Sequence, residues 1–145
     1  MNPQGIFLSN GPGDPAAVNK AVEAVRKLLG KLPIFGICLG HQIFSLALGC
    51  QIYQLACGHH GGNHPVIDYS TNKIEITNHN QGFSVDEKSL SKNVSVTHRN
   101  LNEKTIEGIE SLIHPAFSVQ YHLEAGPRPR DASYIFGRFL EMLNC

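Results

Sequence analysis

The segment Phe35-Gly36-Ile37-Cys38-Leu39-Gly40-His41-Gln42 constrains the fold more than any other part of this 145-residue chain. The apolar run Leu32 to Ile37 reads as a short buried strand. Gly40 onward, through His41, Ile43, Phe44, Leu46 and Ala47, reads as the start of a helix. A cysteine at that junction, with glycine two positions before and two after, is the cysteine version of a strand–turn–helix nucleophile elbow. Such a turn is tight and strains the nucleophile's backbone, so side chains are not tolerated at the flanking positions. The helix N-terminus places positive partial charge near the sulfur, which predicts a thiol shifted toward thiolate. Cysteine commonly packs as a small hydrophobe instead. The paired glycines and the polar His41-Gln42 that follow favour the reactive reading.

A nucleophilic cysteine needs a base, and the base needs an orienting group. Near the other end of the chain stands Ala116-Phe117-Ser118-Val119-Gln120-Tyr121-His122-Leu123-Glu124. Ala116 to Tyr121 has the aromatic and β-branched content of a strand. Residues two apart on an extended segment project to one face, so His122 and Glu124 can touch. The carboxylate would fix the imidazole tautomer and stabilise the imidazolium formed when His122 takes the thiol proton. His-x-Glu is a weak pattern by itself, and its weight comes from pairing with the elbow.

The third piece is Gly5-Ile6-Phe7-Leu8-Ser9-Asn10-Gly11-Pro12-Gly13-Asp14-Pro15. A buried strand runs into a Gly/Pro turn, followed by an amphipathic helix from about Ala16 to Leu29. The turn lies at the carboxyl end of its strand, the same edge as Cys38, where open α/β sheets bind ligands. A glycine N–H from this loop and the N–H of Leu39 would form an oxyanion hole.

Together the three segments resemble the triad-type (class I) glutamine amidotransferases, whose glutaminase domain uses Cys, His and Glu. The match is closer still to one branch, the small, glutamine-hydrolysing chains of carbamoyl-phosphate synthetase. It rests on Leu8 to Pro15, Gly36 to Gln42, Gly58-His59-His60-Gly61-Gly62-Asn63-His64-Pro65-Val66, Asn80-Gln81-Gly82-Phe83, and Phe117 through Ala125. The resemblance covers essentially the whole chain, in order and with the family's spacing. It implies that Cys38 attacks the side-chain amide of glutamine to give a γ-glutamyl thioester and ammonia. His122 would relay the proton, with Glu124 behind it. It also implies oxyanion N–H groups from Gly11 and Leu39, a substrate contact from Gln42, and glutamine-binding positions at Gly11, Gly13, Leu39, Asn80, Gly82 and Phe83. The implied partners are L-glutamine and a large synthetase chain that uses ATP and magnesium, with no cofactor in this chain.

Some residues depart from that pattern. Leu123 stands where the family has proline, which would lock φ between His122 and Glu124, so a looser dyad is expected. The substrate loop reads His79-Asn80-Gln81-Gly82-Phe83, with Gln and His exchanged about the asparagine. Arg128 and Arg130 add charge where the family has small or neutral groups. The family's preceding strand and helix are not seen before Met1-Asn2-Pro3-Gln4. The expectation is therefore one glutamine amidotransferase domain, residues 1–145, truncated at its N-terminus. Loss of a strand from the middle of a parallel sheet would expose an apolar edge. A non-catalytic scaffold or inactive remnant of the same domain is the competing reading.

Composition bounds the remainder. Lys+Arg 12 balance Asp+Glu 12, so no strong field draws the chain toward nucleic acid or membrane. No apolar stretch is long enough to span a bilayer, and no signal segment opens the chain. Cys38, Cys50, Cys57 and Cys145 form no recognisable disulfide framework, which fits a reducing cytoplasm. Cys57, His59, His60 and His64 match no common zinc spacing, and the resemblance makes their loop structural and partner-facing, so no metal is expected. Cys50 is expected in the core and Cys145 without a role.

The remaining pattern predicts strands at Ile6–Ser9, Pro33–Ile37, near Gln51–Gln54, Lys73–Thr77, Phe83–Val85, Val94–Asn100, Ile106–Glu110 and Phe117–Tyr121. Helices are expected at His41–Leu48 and, with Tyr134, Ile135, Phe139, Leu140 and Met142 inward, at Asp131–Leu143. Turns at Ser70-Thr71-Asn72 and Asn100-Leu101-Asn102 mark hairpins. The fold class expected is α/β, an open mixed sheet flanked by helices with attached β-hairpins. The resemblance adds a flavodoxin-like core with its first strand and helix missing.

Overall fold

The computed structural model of the protein describes residues 4–8, 15–121 and 133–143, with backbone alone at 15–17, 56–63, 77–81, 133–134 and 136. Along the chain come β1 (Ile6–Leu8), α1 (Pro15–Leu28), β2 (Ile34–Ile37), α2 (Leu39–Ala47), β3 (Ile52–Asp68), β4 (Lys73–Val85), β5 (Val94–Asn100), β6 (Ile106–Ser111), β7 (Ala116–Val119) and α3 (Ser133–Leu143). The described strands form one open sheet in the order β1-β2-β7-β6-β5-β3-β4. β1, β2 and β7 are parallel, and every other neighbouring pair is antiparallel. This is the mixed sheet with attached hairpins that the sequence predicts.

Alternation along β2 sorts its two faces. Ile34 packs with Val22, Val25, Ile43, Phe44 and Ala47 of α1 and α2. Phe35 and Ile37 pack on the other face with Phe117, Val119 and Ile135, the last from α3. Phe35 stacks on Phe117 at 4.6 Å between centroids, and Arg138 of α3 lies over the Phe117 ring at 4.4 Å while pairing with Glu110 at 2.5 Å. Cys50 is buried in the α1/α2 core, as expected. Arg26 of α1 donates to the carbonyls of Ala47 (3.3 Å) and Leu46 (3.1 Å), placing a cation on the C-terminus of α2.

Several elements differ from expectation. β3 and β4 are single strands of 17 and 13 residues, where three short strands and a polar loop were predicted. Backbone pairing carries both strands through the Gly/His/Asn-rich stretches, and register shifts between Gln54/His59 and Gly61/His64 absorb the mismatch. The segment from Gly58 to Val66 is thus strand, not loop. α2 begins at Leu39, directly after Cys38. Leu140 is 58% exposed rather than inward, while Ile135, Phe139 and Met142 do pack on the sheet. β1 forms one end of the described sheet, with Phe7 half-exposed, and the ladder runs from β1 to β4 without a gap. No helix among the described residues is long and apolar enough to cross a membrane.

Candidate active site

Cys38 has φ 56° and ψ −109°, a backbone conformation that a non-glycine residue holds only when its surroundings force it. Two hydrogen bonds do so. Its N–H donates to Val119 O on β7 (3.0 Å), and its carbonyl accepts from Gln42 N–H (3.2 Å), the first turn of α2. The chain reverses here from strand into helix with almost no space between them. A Cβ at Gly36 would lie 2.6 Å from the Gly40 carbonyl oxygen, and one at Gly40 would overlap the backbone of Leu8. The elbow and its two obligatory glycines are as the sequence predicts.

The thiol is not. Burial pushes Cys38 above its ordinary value. A backbone hydrogen bond with Leu39 and a side-chain hydrogen bond with Gln120 pull the other way, and the carboxylate of Glu107 adds a smaller upward push. The N-terminus of α2 acts on the sulfur through the Leu39 N–H, but desolvation outweighs it. Half-buried and raised in this way, the Cys38 sulfur favours the thiol over the thiolate.

β7 supplies the floor of the site. Phe117 and Val119 face α3, while Ala116, Ser118 and then Gln120 lie toward α2. Ser118 Oγ lies 2.6 Å from His41 Nδ1, and both residues are fully buried. His41 also holds its helix by accepting Ser45 Oγ–H at the backbone carbonyl (2.7 Å). Burial, with His98 adding a smaller effect, pushes the His41 imidazole down to about 3, and its Nε2 has no hydrogen-bond partner among the described residues. His41 is therefore a neutral structural histidine. Gln120 donates from Nε2 to Cys38 Sγ (3.8 Å), accepts a long contact from Gln42 Nε2 (3.5 Å), and is tied by its N–H to Glu107 O (2.8 Å).

Beside the elbow a cleft of about 330 Å³ is lined by Val18, Asn19, Leu39, Gln42, Leu46, Ile52 and Phe83. It unites three predicted site residues, Leu39, Gln42 and Phe83, from α2 and the far end of β4. Gly82 is exposed and a Cβ there would meet nothing, so the chain itself does not require glycine at that position. Asn80 is placed by its backbone in β4, opposite His60 of β3. Gly11, Gly13, His122 and Glu124 lie outside the described residues, as do Leu123, Arg128 and Arg130. No cluster of metal-ligating side chains occurs among the described residues, which do not include the side chains of Cys57, His59 and His60. His64 Nδ1 sits 3.4 Å from Asn100 Nδ2.

Sequence reasoning missed Gln120 and Glu107. Both are fully buried polar residues, Gln120 directly after β7 and Glu107 on β6, Glu107 accepting Thr105 Oγ1–H at 3.0 Å. A signal was present for Gln120: Ser118 and Gln120 alternate with Phe117, Val119 and Tyr121 in a segment whose neighbours leave neither face to water. Polar residues on the enclosed face of such a strand need partners, and here those partners are His41, Cys38 and Gln42.

Comparison with known proteins extends this geometry. A carbamoyl phosphate synthase small chain from Syntrophotalea carbinolica is 55% identical over 143 residues, covering 99% of this chain and 38% of its own. The chain spans about two fifths of the length of the curated relatives it matches. A solved structure from Thermoplasma acidophilum shares the fold with a TM-score of 0.82 at 16% identity, over 97% of this chain and 73% of that one. A glutamine amidotransferase structure from Thermotoga maritima gives a TM-score of 0.68 at 20% identity, over 93% of this chain and 64% of that one. Fold likeness at such identities speaks for architecture alone. The family model for class-I glutamine amidotransferases, however, matches residues 1–142, and this chain belongs to that family.

Proposed function

We propose that the chain hydrolyses L-glutamine to glutamate and ammonia, with Cys38 as nucleophile, His122 as base and Glu124 as its orienting carboxylate. The observation that carries this reading is the strained elbow: φ 56° at a half-buried cysteine that interacts with the Leu39 N–H, with Leu39 itself lining an open cleft. A packing cysteine has no use for that strain. Because burial raises the thiol, proton removal has to accompany attack, and His122 is assigned that task. The sulfur adds to the carboxamide carbon, and the oxyanion is held by the N–H groups of Leu39 and Gly11. His122 then returns the proton to the departing amine, leaving a γ-glutamyl thioester that water cleaves to glutamate. Gln42 hydrogen-bonds the substrate, and Gly13, Asn80, Gly82 and Phe83 hold its α-amino and α-carboxylate ends.

The ammonia would pass to a carbamoyl-phosphate synthase large chain, to which the reading assigns ATP and magnesium. Identity above half with small chains of that enzyme supports this partner. Free ammonia is a minority species at neutral pH, so an enclosed path between the two chains prevents its protonation and escape. The test is glutamate release by the 145-residue chain, alone and with the large chain added, using Cys38→Ser as the blank. Release that needs Cys38 and rises with the partner supports the reading. Release unaffected by Cys38→Ser overturns it. Binding to the large chain without any release establishes the scaffold instead.

A further inference from the structure

The geometry points to Gln120 as the positioning residue of the nucleophile: its carboxamide N–H holds the Cys38 sulfur, and its carbonyl ties that sulfur to Gln42 at the cleft wall. This rests on the glutaminase reading above and adds a residue to it. Gln120 is fully buried, and its N–H on Glu107 O fixes the start of the side chain. Nε2 then reaches Sγ at 3.8 Å, within range for a sulfur acceptor, and Oε1 faces Gln42 Nε2 at 3.5 Å. A carboxamide oriented in this way can only donate to the sulfur, so it favours the anionic form over the neutral one. Gln42 lines the cleft, so a ligand engaging Gln42 also acts on the amide that faces the nucleophile. The buried amide thus links occupation of the cleft to the state of the thiol.

Among the described residues Glu107 on β6 acts on Cys38 and His98 on β5 acts on His41 of α2, while His122 follows Gln120 by two residues in the sequence. The test therefore reads the sulfur directly and separates His122 from Gln120. Alkylation of Cys38 by iodoacetamide is followed against pH by peptide mass in the 145-residue chain, so the result is independent of glutamine turnover. Gln120→Met keeps the size and removes the donor. The alkylation midpoint is expected to rise by about one pH unit, a rate loss near neutral pH of about tenfold, with the plateau at high pH unchanged. Gln120→Glu should raise it further, by setting a carboxylate against the sulfur. The shift should persist in a His122→Gln background. Slow labelling of buried Cys50 in the same samples reports that the fold is intact. If Gln120→Met does not fold, Gln42→Leu is read in its place, where a smaller shift in the same direction is expected. An unchanged midpoint in a folded variant overturns the proposal, and so does a shift that disappears when His122 is replaced.

Discussion

Gly40 lies directly against the backbone of Leu8, so that a Cβ on Gly40 would overlap the Leu8 carbonyl oxygen and crowd its carbonyl carbon at 2.6 Å. Two segments more than thirty residues apart are thereby locked together: the end of β1 and the first turn of α2, which directly follows Cys38. The glycine in the elbow motif is required by this contact and not by its own φ. It sets how closely the end of β1 and the start of α2 can approach.

Gly40→Ala is accordingly expected to destabilise the fold by about 3 kcal/mol or more, since the obstacle is backbone and cannot rotate away. Gly49→Ala makes the contrast. Gly49 has φ +90° but a Cβ there meets nothing, so only left-handed strain of about 1 kcal/mol is added. Thermal unfolding of both variants, at about 3 °C per kcal/mol, reads the difference. Equal losses would mean that strain and not contact governs Gly40.

Arg26→Met should cost about 1 kcal/mol, because it removes the donors on the Ala47 and Leu46 carbonyls while keeping most of the aliphatic stem. Urea unfolding measures it. A loss that is unchanged in high salt points to the hydrogen bonds, and one that vanishes there points to the helix dipole alone.

The elbow was legible because strand, turn and helix are written in adjacent residues, and because the close approach there tolerates only glycine at positions 36 and 40. β2, β5, β6 and the hairpin turns were legible from alternation and from Asn residues: Asn72 has φ 59°, and the side chain of Asn100 accepts from Asn102 and Glu103 N–H. The length of β3 and β4 was not. Strand character at Gly58 to His64 comes from the facing strand, and no local pattern encodes it. The state of the Cys38 thiol was misjudged for a similar reason. The helix N-terminus is visible in sequence, whereas the burial that outweighs it is assembled from the cluster that β2, β3, β7 and α3 build together. Gln120 belongs to the same class, since its partners lie about 80 residues away.

His41 makes the fold sensitive to mild acid. Its imidazole binds a proton near pH 6.5 when unfolded but only near 3 when folded, because burial penalises the charge. Between those values the unfolded state holds more protons, so stability falls as pH falls, by up to about 1.4 kcal/mol per pH unit. Above pH 6.5 this contribution is constant. Glu87, held below the usual carboxylate range by its hydrogen bond to Arg99, matters only below its ordinary value of about 4.5. Melting temperatures from pH 7.5 to 5 therefore isolate histidine. His41→Gln should be less stable at pH 7.5 yet show a flatter profile. Parallel profiles for the two proteins would place the acid sensitivity elsewhere.

Reactivity at Cys38 should depend on recognition more than on intrinsic nucleophilicity. Burial raises the thiols of both Cys38 and Cys50, the latter to about 11, but Cys38 is half-exposed at the mouth of the elbow and Cys50 is buried. A simple reagent such as iodoacetamide should therefore label Cys38 only slowly at neutral pH, faster as pH rises, and always ahead of Cys50. A glutamine-shaped chloroketone occupies the cleft first, and there the Leu39 N–H and the base proposed at His122 act on the bound reagent. It should label Cys38 ahead of Cys50, Cys57 and Cys145, with an advantage over iodoacetamide at Cys38 of about a hundredfold, as orientation in a site commonly provides. Excess L-glutamine should protect Cys38 against the chloroketone. Peptide mass analysis reads all four cysteines in one sample. If both reagents give the same order of labelling and glutamine protects none of them, the cleft beside Cys38 does not bind glutamine.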